Sequence, residues 1–305
     1  MTLGQSMTYQ EYDSLEAVRW STLKQLDGGP DPRDPDGKKI LFLPEEYRHY
    51  LKTGGGDSDA LSFGRLFHVA VLEPDLLPMK YVFWPDTKEV TNKKTGEVET
   101  KKNVRGTKEY KEFVRVNAPK EVVTASDYRR ALAVRDAVNR HPQAKKLLAR
   151  KCERETVVTW TDKETGLDCK CRIDLLLTDR RPCIVDAKST KQVDDHAYKN
   201  TIARFGYHGQ AGFYRDGVKT ALDLEVGFKH IVVKSTPPHI VRVVTFPSDL
   251  LWKGSDLAHD LLEKLAEFQA MDEWPVDYPN DDEMELPRWY GGDEDWESGA
   301  TVLDG

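Results

Sequence analysis

Two short strings place acids and a lysine where they could act together. The first is Cys169-Lys170-Cys171-Arg172-Ile173-Asp174-Leu175 and the second is Cys183-Ile184-Val185-Asp186-Ala187-Lys188. Both are rich in β-branched and small apolar residues and read as strands. Strand side chains alternate between faces, so Cys169, Cys171, Ile173 and Leu175 share one face while Lys170, Arg172 and Asp174 share the other. Asp186 and Lys188 are two apart and point the same way. Adjacent strands lie about 4.7–4.9 Å apart, so the right register sets Asp174 beside Asp186. Two carboxylates that close repel unless a cation lies between them. A hard divalent ion such as Mg²⁺ resolves the repulsion. A lysine beside it could orient and deprotonate an attacking water and stabilise the charge that develops in phosphodiester hydrolysis.

These groups need a scaffold. Thr156–Trp160, Cys169–Leu177 and Cys183–Ala187 read as three consecutive strands, with turns at Lys163–Gly166 and Asp179–Pro182. A helix follows over about His196–Leu222, then strands at Gly227–Lys234 and Ile240–Phe246. Leu257, Leu261, Leu265 and Phe268 mark a last helix at about 255–270. Before the strands, a helix is expected from about Ala60 to Leu72, ended by Pro74, and another over Ser126–Arg140, with Pro142 in the first turn of the next. Asp86–Lys108 is polar and without periodicity, and reads as a mobile loop. Its cations Lys93, Lys94, Lys101, Lys102, Arg105 and Lys108 could clamp DNA or merely be solvated. The order of elements predicts an α/β fold with a mixed central sheet flanked by helices. One domain is expected over residues 1–270, with a helical part over 1–150 and a catalytic core over about 152–246.

Charge is unevenly distributed. From Asp272 onward there are twelve acidic residues and one basic, Arg288, for a net of −11. The whole chain carries −7, so the preceding part is at about +4. Residues 272–305 read as an acidic, flexible tail on a mildly basic body, which permits phosphate binding. No apolar run suits a transmembrane helix, and Met1–Gln10 lacks the pattern of a signal peptide; a cytoplasmic protein is expected. The four cysteines (Cys152, Cys169, Cys171, Cys183) lack CxxC spacing and suit reduced thiols.

The two strings, "RIDLLL … IVDAKST", resemble the PD-(D/E)xK nuclease signature, with Ile173 in place of the usual proline. "FGRLFHVAVLEPD" (63–75) resembles the His-bearing helix of the RecE/exonuclease VIII nucleases. "ETVVTWTDKETGLDCKCRID" (155–174) resembles their first two core strands, and "FGYHGQAGFY" (205–214) their QxxxY helix. The resemblance runs from about Tyr9 to Phe246. It implies a restriction-endonuclease-like core in which His68, Asp174, Asp186 and the backbone carbonyl of Ala187 hold Mg²⁺, or Mn²⁺ in its place. Gln210 and Tyr214 would sit near the scissile phosphate with Lys188. Glu155 matches an acidic position, where it would touch a metal-bound water or sit exposed. Gly64, one turn before His68, is small enough for a close approach. Arg65, Lys170 and Arg172 are candidates for DNA phosphate contacts. The family further implies 5′→3′ digestion of linear double-stranded DNA from its ends for recombination, a phage setting, a ring-like homo-oligomer and a single-strand annealing protein as partner.

Rival readings are a related repair or CRISPR-type nuclease with an iron–sulfur cluster on the four cysteines, and a DNA-end-binding module that does not cleave. A mononuclear iron site is weaker, because it uses two histidines and one carboxylate and leaves Lys188 without a role.

Overall fold

The computed structural model describes residues 7, 9–27, 29–30, 39–40, 44–53, 59–91, 97–102 and 105–275. The apolar runs expected as strands form one five-stranded sheet: β1 Cys152–Thr161, β2 Asp168–Leu177, β3 Cys183–Thr190, β4 Gly227–Lys234 and β5 Val241–Phe246, in the order β5-β4-β3-β2-β1. All pairs are antiparallel except β3 with β4. A parallel pair needs a long crossover. Here it consists of two helices, α3 Asp195–Arg204 and α4 Tyr207–Leu222. The single helix expected over His196–Leu222 breaks at Gly206, whose φ of 64° suits a residue without Cβ.

Helices cover both faces. On one lie α3, α4 and α5 (Ser248–Met271), packed with Trp20, Leu23 and Leu26 onto Cys169, Cys171, Ile173, Leu176, Ile184 and Phe228. On the other lie α1 (Asp59–Leu72) and α2 (Ala125–Arg140), packed onto Leu175, Leu177, Val185, Ala187 and Ile231. A sheet buried on both sides explains why β2 ends in an unbroken apolar run. The α4–α5 crossing is backbone on backbone: a Cβ on Gly212 would lie 2.2 Å from the Gly254 carbonyl carbon, and one on Gly254 would lie 1.9 Å from the His208 oxygen.

Three expectations need correction. Asp86–Lys108 is not a structureless loop, because Thr87–Thr91 and Val98–Lys102 pair as an antiparallel hairpin whose side chains are mostly exposed. A hairpin solvated on both faces has no apolar alternation to betray it; Lys93 and Lys94 lie outside the described residues. The strict alternation expected along β2 fails, because Cys169, Cys171 and Ile173 face one core whereas Leu175 and Leu177 face the other. The phase changes at Asp174, opposite Glu155 on β1, which sits at φ 49° between the pairs Arg154↔Leu175 and Thr156↔Ile173. Finally, Gly64 makes no close approach, since a Cβ there would meet open space.

The acidic segment is described only as far as Pro275. Trp274 stacks on Tyr47, with ring centroids 6.4 Å apart, and packs against Phe268. Trp289, Tyr290 and Trp296 lie outside the described residues. Among the described residues no helix is long and apolar enough to cross a membrane.

Candidate active site

The site lies where two strands part. β2 and β3 pair only through Leu175↔Val185, Leu176↔Ile184 and Leu177↔Cys183. Beyond that the strands separate, which frees the backbone of Ala187 on its β2 side. Side chains replace the missing ladder. Asp174 Oδ2 accepts from the Ala187 N–H at 2.7 Å, and His68 Nε2 lies 2.9 Å from the Ala187 carbonyl. A carbonyl can only accept, so Nε2 carries the hydrogen and the Nδ1 lone pair faces Asp174 Oδ1 at 3.6 Å. The imidazole and the carbonyl expected as fellow ligands thus touch each other directly.

Glu155 completes a trio. One donor atom from each of His68, Glu155 and Asp174 lies within 4.8 Å of the other two. Three lone-pair donors with no hydrogen between them are stable only with protons or a cation, and the electrostatics say so. Burial, then the charge of Asp174, pushes the Glu155 carboxyl up to about 7. Burial and then the neighbouring Asp186 raise Asp174. Burial lowers the His68 imidazole, which keeps its ligand form neutral. One nitrogen and two carboxylate oxygens fit a divalent cation. Glu155, expected either to touch a metal-bound water or to sit exposed, is half-buried and part of the cluster. Its left-handed backbone is a strained conformation for a residue with a Cβ, of the kind that clusters at functional sites.

Asp186 and Lys188 form the other half. Lys188 Nζ lies 2.6 Å from Asp186 Oδ2, and Gln210 Nε2 donates to Oδ1 at 3.0 Å. Burial alone would lower the Lys188 ammonium, but Asp186 outweighs it and holds the lysine up at about 12. In this pairing Lys188 is a cation, the form that can orient a water and stabilise developing negative charge. Burial pushes Asp186 up, but Lys188 and then His230 pull it down further. Gln210 comes from α4, and Tyr214 lies one turn further along the same helix. Lys188 also lies over the Tyr207 ring, 4.9 Å from its centroid.

The expected DNA-contacting cations divide. Lys170 is 2 % exposed, and its Nζ donates to the carbonyls of Tyr12 and Leu15 at 2.7 Å and of Asp13 at 3.3 Å. It is an internal tether, not a phosphate contact. The chain beside it, Val18, pairs with the edge of β2 that the parting leaves open: Val18 N–H donates to Asp168 O and Lys170 N–H to Val18 O. Trp20 then seats its ring against Gly209 of α4. Reading Lys170 as surface missed that the N-terminal segment would fill the fork. Arg172 is ion-paired to Glu155 at 2.7 Å, and Arg65 to Glu121 at 3.5 Å on the face of α1 three residues before His68.

Sequence reasoning missed His230. It is fully buried on β4, in register with Asp186, and burial drives its imidazole down to about 3. Its signal was a lone histidine in an apolar strand, Phe228–Val233, beside the acid of the next strand.

The cysteines do not converge. Cys169 and Cys171 lie in the core on one face of the sheet, Cys183 and Cys152 on the other, and all four are free. That removes the iron–sulfur reading.

No curated protein matches the chain. Among solved structures, a protein from Eubacterium rectale, named as a presumed exonuclease, aligns over 87% of this chain and 88% of its own at 13% identity, with a TM-score of 0.55. The protein SSO0001 aligns over 53% of this chain and 76% of its own at 16% identity; its TM-score of 0.26 is too low to bear on the fold. The first likeness shows a shared fold. The sequence profile of the PDDEXK-like domain of unknown function (DUF3799) matches residues 38–281, so the chain belongs to that PDDEXK-like family.

Proposed function

We propose that this chain is a divalent-metal-dependent DNA exonuclease that hydrolyses phosphodiester bonds 5′→3′ from the ends of linear double-stranded DNA. The observation that carries the nuclease reading is the fork itself. The donor atoms of His68, Glu155 and Asp174 converge there, beside the Asp186–Lys188 ion pair on the neighbouring strand. A binding module needs neither the convergent acids nor Lys188.

His68, Asp174, Asp186 and the Ala187 carbonyl, with Glu155 added, are the groups that would hold the ion, Mg²⁺ by preference and Mn²⁺ in its place. When bound, such an ion neutralises the clustered carboxylates, polarises the phosphoryl oxygen and lowers the pKa of water beside it. The protein does the rest. Asp174 is fixed by its bond to the Ala187 amide, and Asp186 by Lys188 and Gln210. Lys188, as ammonium, orients the attacking water and stabilises the charge that grows on the phosphate. Gln210 holds the Asp186 carboxylate, with Tyr214 one turn on along the same helix, near the scissile phosphate. Arg65 contacts the DNA backbone, with Arg172 held nearer by Glu155.

Polarity, duplex preference, a role in making single strands for recombination, a phage setting, a ring-like homo-oligomer and an annealing-protein partner rest on the resemblance to the RecE/exonuclease VIII nucleases. The name carried by the Eubacterium rectale protein is in keeping with action at ends. The test uses linear duplex labelled at the 5′ or the 3′ end, and a closed circle, with wild type and Asp186→Ala in Mg²⁺ or EDTA. Mg²⁺-dependent early release of the 5′ label by wild type alone, with the circle spared, is expected. Cutting of the circle would make the enzyme an endonuclease, and no hydrolysis with either Mg²⁺ or Mn²⁺ would leave a binding module.

A further inference from the structure

His230 is a polar ring in an apolar box. The rings of Tyr207, Phe228 and Phe246 surround it at centroid distances of 5.4, 5.4 and 4.6 Å. A phenylalanine would fill such a space without burying a nitrogen. Two polar atoms account for the histidine. Tyr198, from α3, places its hydroxyl 2.7 Å from His230 Nδ1. On the other side, Nε2 lies 3.6 Å from Asp186 Oδ2. Nε2 and Oδ2 are both buried, and neither has a formal hydrogen-bond partner among the described residues, although Oδ2 is ion-paired to Lys188.

The tautomer follows from this arrangement. A neutral imidazole has one N–H and one lone pair. With the hydrogen on Nδ1, the Nε2 lone pair would face a carboxylate oxygen across a dry gap, which is repulsive. With the hydrogen on Nε2, the ring presents a donor to Asp186 and accepts the Tyr198 O–H at Nδ1. The Tyr198 hydroxyl, which can donate or accept, donates to Nδ1 in this form and so supports the tautomer that the facing acid favours.

We propose that His230, oriented by Tyr198, is a positioning residue for Asp186, its Nε2–H directed at the same carboxylate oxygen that Lys188 engages. This rests on the reading of Asp186 as part of a metal-dependent nuclease site. Its use is that Asp186 Oδ2 faces two polar groups, the Lys188 ammonium at 2.6 Å on a mobile side chain and, at 3.6 Å, a ring nitrogen fixed in the sheet. When Lys188 turns to water or phosphate, His230 keeps the carboxylate in place.

The experiment uses the full chain as wild type, His230→Phe, His230→Gln and Tyr198→Phe. Nitrogen-15 NMR of labelled histidines reads the tautomer, calorimetric titration with Mn²⁺ alone reads the affinity, and steady-state cleavage separates kcat from KM. The expected wild-type signal is the Nε2–H tautomer. His230→Phe, folded by circular dichroism, should lose roughly 10- to 100-fold in Mn²⁺ affinity and in kcat, as partners of metal ligands do, with KM for DNA unchanged. His230→Gln, which retains an N–H near the same place, should recover part of both. Tyr198→Phe should mix the tautomers and give an intermediate loss; it decides the matter if His230→Phe fails to fold. An Nδ1–H tautomer in wild type, or wild-type Mn²⁺ affinity in folded His230→Phe, overturns the proposal. If wild type cleaves no DNA the nuclease reading falls, whereas the tautomer and Mn²⁺ titrations still decide this one.

Discussion

At the scale of residues, the chemistry depends on charges that are stable only together. Asp186 is buried, Lys188 is half-buried and the two are paired, so removing the lysine strips the acid of its cation and the water of its orienting group. Lys188→Met should reduce kcat by about 10²- to 10⁴-fold, the range of a positioned catalytic group. DNA affinity, measured by anisotropy with Ca²⁺ in place of Mg²⁺, should change little. Cleavage within tenfold of wild type would remove Lys188 from the mechanism. Lys170 makes the opposite prediction. Its three carbonyl partners belong to the N-terminal segment, and each bond to a charged group contributes about 1.5–3 kcal/mol. Lys170→Met should therefore lower unfolding stability by about 3 kcal/mol or more in urea titrations, and leave the salt dependence of DNA binding as it is. A flattened salt slope without destabilisation would restore Lys170 as a phosphate contact. The sequence showed Asp174, Asp186 and Lys188 because acid-x-lysine spacing on a strand is a local pattern. It misplaced Lys170 because the group that buries it comes from some 155 residues away. It left Glu155 open because a carboxylate at a strand's start looks the same whether it faces water or a second acid.

At the scale of elements, strands, turns and most helices were legible from alternation, Gly/Pro punctuation and caps, since these are local. The change of phase at Glu155 and Asp174 was not, because a strand that switches faces reads as irregular only once both cores are known. Nor was the α4–α5 contact. Gly212 and Gly254 are ordinary helix glycines in sequence, yet they let two backbones meet, and α4 carries Gln210 and Tyr214 on the same turns. Gly212→Ala would force α5 outward, at the cost of overpacking a core, about 1–3 kcal/mol. The expected outcome is a lower urea midpoint together with a several-fold lower kcat, because Gln210 loses its register with Asp186. A stable, fully active variant would mean that the helices can slide apart without moving the site.

At the scale of the whole molecule, the clustered acids make folding, protons and metal compete. The ordinary Glu pKa is about 4.3; in the fold Glu155 stands at about 7, chiefly through burial. A carboxyl raised in the folded state binds protons more tightly there than in the unfolded chain. Its contribution to stability is therefore present below pH 4 or so and is lost as pH rises toward 7, on the order of 3 kcal/mol in all. Asp174 is shifted in the same direction. A divalent cation acts on the ionised cluster and so should restore what the rising pH removes. In EDTA, the thermal midpoint should fall between pH 5 and pH 8. The increase in midpoint on adding Mg²⁺ or Mn²⁺ should be larger at pH 8 than at pH 5. Other groups titrate over the same span, so the informative quantity is the difference from Glu155→Gln. That variant keeps the shape of the side chain but cannot ionise, and should show a shallower pH slope and a smaller metal increment at pH 8. Equal slopes in the two proteins would mean that Glu155 does not share in the cluster, and the ion would then be left to His68 and the two aspartates.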